Sequence, residues 1–130
     1  MKNYKEYYRQ MGNLMYCMAM IDGKIAVKEW TELRRIVREE LVPAEKHGDE
    51  FGTDSAFAVE FQFDILEGNN VEFAMAWEEL EEYLKHNAGL LPESDKTQLF
   101  HAAEKVASAF HGINQSENQL LAKAKGLLKI

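Results

Sequence analysis

The chain predicts an all-α fold, a single-domain helical bundle of about six helices. Three observations predict it. Apolar residues recur at intervals of three and four along most of the chain. Only two prolines occur in 130 residues, so long helices can run between short connections. The one stretch that alternates like a strand, residues 57–65, has no second alternating run to pair with.

The elements follow in order. Tyr4, Tyr7, Tyr8, Met11, Leu14, Met15 and Met18 make the stripe of the first helix. From Leu14 to Ile21 that helix is apolar on every side, which predicts a central, buried second half. Asp22-Gly23 ends it, because Gly tolerates the left-handed conformation that closes helices. The second helix carries Trp30, Leu33, Ile36, Val37 and Leu41, with Lys28, Glu32, Arg34, Arg35, Arg38 and Glu39 opposite. Pro43 ends or kinks it, and residues 47–52 read as loop. In 57–65, Phe57, Val59, Phe61, Phe63 and Ile65 alternate with Ala58, Glu60, Gln62 and Asp64. With no partner strand the preferred reading is a helix capped by Asp54 or Ser55, on which Phe57, Phe61 and Ile65 share one face. Gly68-Asn69-Asn70 breaks the chain, and Asn69 with Glu72 has capping-box spacing. Phe73, Trp77, Leu80 and Leu84 form the fourth stripe. Asn87-Ala88-Gly89 stops that helix, and Pro92-Glu93-Ser94 opens a fifth with Leu99, Ala103, Val106 and Phe110. The last uses Leu120, Leu121, Ala124, Leu127 and Leu128. The expected core comprises Leu14, Met18, Leu33, Ile36, Phe61, Trp77, Leu80, Val106 and Leu121.

Composition narrows function by exclusion. Hydrophobic residues make up 46%, so the chain can close a core and is no disordered tail. A net charge of −7 argues against nucleic acid and against direct docking on anionic lipid. The longest apolar run is eight residues, too short to insert in a membrane. The first residues, Met1 to Glu6, contain no signal-peptide core, so a cytoplasmic location is expected. Cys17 is the single cysteine and sits among apolar neighbours, as a small core residue does. A protein partner is expected, and a homo-oligomer is one form it can take.

The distinctive motif is a turn, Asp22-Gly23-Lys24-Ile25-Ala26-Val27-Lys28-Glu29, with a shortened echo, His111-Gly112-Ile113-Asn114-Gln115-Ser116-Glu117. In each copy Glu stands four residues after Ile. The first copy has the back half of a calcium-binding EF-hand loop, but Met18 and Met20 occupy the positions that must supply oxygen ligands. Two readings remain. In one, the glutamates only cap helices: Asn114 and Glu117 form a capping box, and Glu29 takes the same place relative to Ala26, which cannot reciprocate. In the other, the two turns approach by approximate two-fold symmetry. Asp22, Glu29 and Glu117 then form a carboxylate cluster for a divalent metal ion, the one cofactor these residues suggest.

The residues Met18-Ala19-Met20-Ile21-Asp22-Gly23-Lys24-Ile25 with Glu29 and Leu33, and Gly112 to Glu117 with Leu120-Leu121, resemble the tellurite-resistance TerB-like family. The resemblance spreads over nearly the whole chain, residues 1–130. It implies an all-helical domain with an internal duplication, and a stress-response role through metal or partner binding at Asp22, Glu29 and Glu117. His111 stands where the family commonly has Asp, and the second turn is one residue shorter. A neutral imidazole there can still ligate a transition metal.

No His-Glu-x-x-His, Gly-rich phosphate loop or nucleophile elbow occurs. No catalytic or cofactor-binding residue is therefore assigned, and a non-enzymatic role is preferred. A small hydrolase using a carboxylate-bound metal to activate water is the weaker alternative. His47, His86, His101 and His111 read as isolated surface residues, although His101 and Glu104 share a helix face. Glu78, Glu79, Glu81 and Glu82 beside Trp77 and Leu80 read as a solvated face, or else as a docking surface for a basic partner. The methionines of the first helix read as core.

Overall fold

The first helix leaves almost no polar face to turn outward, and three of the other described helices pack around it. The computed structural model describes residues 4–21, 27–41, 52–109 and 115–130. Among them are six α-helices and no strand. Helix α1 spans Tyr4–Met20, and every residue from Gln10 to Ala19 is buried. Around it pack α3 (Gly52–Gly68), α4 (Phe73–Asn87) and α5 (Glu93–Ala109). Helix α2 (Val27–Ile36) runs on into a π-helical turn, Val37–Leu41. It rests on α5, and the π turn meets α3. Helix α6 (Gln115–Leu128) lies against α5 and α4.

Aromatic hydroxyls pin α1 to its neighbours. The Tyr7 hydroxyl donates to the Asp95 carbonyl at 2.8 Å, at the start of α5. The Tyr16 hydroxyl donates to the Val71 carbonyl at 2.6 Å, between α3 and α4. The Tyr16 ring also meets Phe63 edge-on, with centroids 5.5 Å apart. Each tyrosine thus buries an apolar body while its polar tip finds an acceptor. On the outer side, Glu60 of α3 draws in Arg38 at 3.3 Å and Arg34 at 3.6 Å, which ties α2 and its π turn to α3.

Residues 57–65 are helical as expected, but the face that enters the core is not the expected one. Leu14, Met18, Leu33, Ile36, Leu80, Val106 and Leu121 are buried as expected, and Trp77 is half-buried against them. Phe61 is 68% exposed. Phe57, Phe61 and Ile65 do share a face, yet the face that enters the core is Val59, Phe63 and Leu66. Both triplets have helical spacing, so periodicity offers no contrast between them.

Helix ends also differ from expectation. Helix α3 begins at Gly52, which puts Asp54 and Ser55 inside its first turn and not at a cap. Its far end closes at Asn70, whose φ is 49°. The Val71 amide reaches the Leu66 carbonyl at 3.0 Å and the Asn70 amide reaches Glu67 at 3.1 Å, a Schellman closure. The Asn69 side chain is spent there too, donating to the Ile65 carbonyl at 2.8 Å. Asn69 therefore finishes α3 and does not cap α4, whose N-cap is Glu72 with no side-chain bond.

Candidate functional site

A single glycine sets how closely two helices meet beside a surface cleft. At Gly12, a Cβ would lie 2.8 Å from the Val59 carbonyl oxygen and 2.9 Å from Gln62 Cβ. Real contacts of that kind do not occur, so only glycine lets α1 and α3 approach this closely. Toward the start of α1 a cleft of about 320 Å³ lies between the two helices, lined by Lys5, Glu6, Arg9, Ala58, Phe61, Gln62 and Ile65. Two of the three large apolar side chains that α3 turns outward, Phe61 and Ile65, form its lip. The third, Phe57, stands one turn before Phe61, with 36% of its surface exposed.

Behind the cleft, Glu6 and Gln62 of its lining join a polar ladder that runs between α1 and α3. Gln62 Nε2 donates to Asn13 Oδ1 at 2.8 Å, and Asn13 Nδ2 donates to Gln10 Oε1 at 2.8 Å and to Glu79 Oε2 at 3.2 Å. Gln10 Nε2 in turn donates to Glu6 Oε1 at 2.9 Å. Gln10, Asn13 and Gln62 are all buried, so the ladder satisfies groups that would otherwise be costly to desolvate. Arg9 closes the near end. Its Nε lies 3.0 Å from Glu6 Oε2, and its Nη2 pairs with Glu79 of α4. Burial pushes the Glu6 carboxyl upward, but hydrogen bonds from Arg9 and Gln10 and the Arg9 charge outweigh it, and its pKa falls below the ordinary value. Arg9 is raised in return, chiefly by its bond to Glu6.

Beyond the Arg9–Glu79 pair lies a shallower hollow of about 440 Å³, lined by Met75, Glu78, Glu79 and Glu82. Met75 is 65% exposed there. Arg9 lines the cleft and Glu79 lines the hollow, so their ion pair joins the two.

The acidic turns can be placed only in part. Glu29 and Glu117 are each the third residue of their helices, α2 and α6, so the two turns deliver their glutamates in the same register. Glu117 is buried. Asp22, Ile25, His111, Ile113 and Asn114 lie outside the described residues, and so do the side chain of Glu29 and the loop residues 47–51. Among the described residues no group of three or more His, Cys, Asp or Glu is placed to hold a metal. His86 and His101 are exposed. His101 Nδ1 lies 3.9 Å from Glu104 Oε1, as their spacing implies. Burial raises the Cys17 thiol well above its usual pKa, which keeps it an inert core residue. No described helix is long and apolar enough to cross a membrane.

The ladder leaves a single trace in the sequence. Gln10 and Asn13 are three apart within a stripe of tyrosines and methionines, and polar residues on a buried helix were the available signal. Their partner Gln62 could be named only once α3 was docked. Comparison of the chain with family models, curated proteins and solved structures finds no match.

Proposed function

We propose that this chain is a protein-interaction module that docks a partner across the α1–α3 cleft, through Phe57, Phe61 and Ile65. The observation that carries this reading is the outward apolar face of α3. Phe61 is 68% exposed and Ile65 43%, and both overhang a formed cleft. Monomeric proteins rarely leave a contiguous apolar patch without a use for it. The polar ladder behind the cleft supports a preformed surface that a partner can bind without first ordering it. A photo-crosslinking residue placed at Phe61 tests this in cells, with Lys123 on α6 as control. Adducts to one other protein at position 61 alone are expected. Equal labelling at both positions, or none at either, defeats the reading.

A second reading has its own observation. The matched register of Glu29 and Glu117 supports a duplicated turn, and with it the TerB-like proposal of a stress-response domain holding a divalent metal at Asp22, Glu29 and Glu117. Calorimetric titration with divalent ions should then show stoichiometric binding in the native chain and weakened binding in Asp22→Asn. Absence of binding at millimolar ion would leave the glutamates as caps.

A further inference from the structure

We propose that the partner segment is a basic amphipathic helix whose apolar stripe lies in the α1–α3 cleft and whose lysines or arginines meet Glu78 and Glu82 of α4. This rests on the docking reading above and names the chemistry of the occupant.

Shape argues for a helix. The outward stripe Phe57–Phe61–Ile65 runs over nine residues of α3, and the eight steps between its ends are about 12 Å at the helical rise. A partner presenting apolar side chains at i, i+4 and i+7 spans about 10 Å and matches it. Among the described residues no strand exists, so there is no sheet edge to which an extended peptide could add.

Charge argues for a basic one. The cleft and the adjoining hollow are lined by two cations, Lys5 and Arg9, and four carboxylates, Glu6, Glu78, Glu79 and Glu82. Arg9 is already held between Glu6 and Glu79. Glu78 and Glu82 are exposed and stand one turn apart beside the exposed Met75. Glu82 has a nearby His86, with Nδ1 3.7 Å from its Oε1. The surface therefore offers an apolar lip, an ion-paired bridge and an acidic edge, in that order. Basic residues along one flank of an apolar stripe complement it. A second copy of this chain does not, because each copy carries a net charge of −7 and would bring its own acidic edge.

The test is selection from a displayed library of helical peptides of random charge, against the full chain and two variants. Phe61→Asp spoils the cleft, and the double variant Glu78→Lys with Glu82→Lys reverses the acidic edge. Melting curves confirm that each variant folds, with Phe61→Ser in place of Phe61→Asp if the charge unfolds it. On the native chain, enriched peptides should be net positive, with apolar residues at i, i+4 and i+7. A resynthesised winner should bind the edge-reversed chain about tenfold more weakly, and bind the native chain more weakly as salt rises. Enrichment of neutral or acidic peptides that Phe61→Asp abolishes overturns the charge assignment and leaves the cleft reading standing. Enrichment indifferent to Phe61→Asp, or no enrichment at all, sinks both. A concentration-dependent dimer that Phe61→Asp dissolves assigns the face to a second copy and overturns the proposal.

Discussion

At the scale of single residues, local preference and tertiary contact can pull in opposite directions, and Gly12 is the clearest instance. Glycine inside a helix costs about 1 kcal/mol relative to alanine, so propensity alone favours Gly12→Ala. The added Cβ would press on the Val59 carbonyl oxygen and on Gln62 Cβ, neither of which is the free end of a flexible side chain. Overpacking of this kind costs roughly 1–3 kcal/mol, so Gly12→Ala should lower the urea midpoint despite the better propensity. Glu6 and Tyr83 should shape the two ends of the pH profile. The folded pKa of Glu6 is depressed, so its contribution is complete above the ordinary carboxylate range and is lost as pH falls through the lowered value. Urea midpoints of Glu6→Gln should therefore lose less than those of the native chain between pH 7 and acid. Tyr83 behaves oppositely. Burial, with the charges of Glu6 and Asp95, pushes its phenol up to about 12, so the neutral form is favoured in the fold. Its contribution is complete below the ordinary phenol pKa and falls as pH rises through the elevated one. Burial raises the Tyr16 phenol as well, so an ultraviolet titration should show a late-ionising component that Tyr83→Phe diminishes.

At the scale of elements, α3 separates what a pattern can reveal from what packing decides. Its helical state was legible, because a lone alternating run has nothing to pair with. Which face enters the core was not legible. Phe57–Phe61–Ile65 and Val59–Phe63–Leu66 are both apolar at helical spacing, and the polar Gln62 stands on the inward side. A buried glutamine is an unfavourable guess until its partner Asn13 is in view. The two faces should respond very differently to mutation. Phe63→Ala should cost about 3–5 kcal/mol, since it empties a buried site against Tyr16. Phe61→Ser should change stability by no more than about 0.5 kcal/mol, as exposed substitutions do. Denaturant melts of the two variants side by side decide this. Comparable losses would mean that Phe61 is packed in solution and that the outward face is closed.

At the scale of the whole molecule, one buried helix and one polar ladder organise the bundle. Ladder residues from α1 and α3 are joined to Glu79 of α4, so deletion of one member strands the others. Asn13→Ala should leave Gln62, Gln10 and Glu79 each short of a partner and cost roughly 1–3 kcal/mol. The same change should widen amide exchange along the cleft wall, where Leu33→Ala, a core deletion of about 2–5 kcal/mol, should not act selectively.

The sequence by itself determined the helical class, the order of six helices and the centrality of α1. Each of these is a local or compositional property: a period of three and four, a break at Asn or Gly, an apolar circumference with no side left for water. It also put Glu29 and Glu117 at matching positions, because register within a turn is counted along the chain. Tertiary structure alone decided which aromatic face of α3 points inward, that Asn69 serves the helix before it, and that Glu79 belongs with Arg9 and Asn13 across 70 and 66 residues. Those outcomes depend on which helices touch and how closely. A missing Cβ at Gly12 permits that approach, but only the partner helix shows what fills the space.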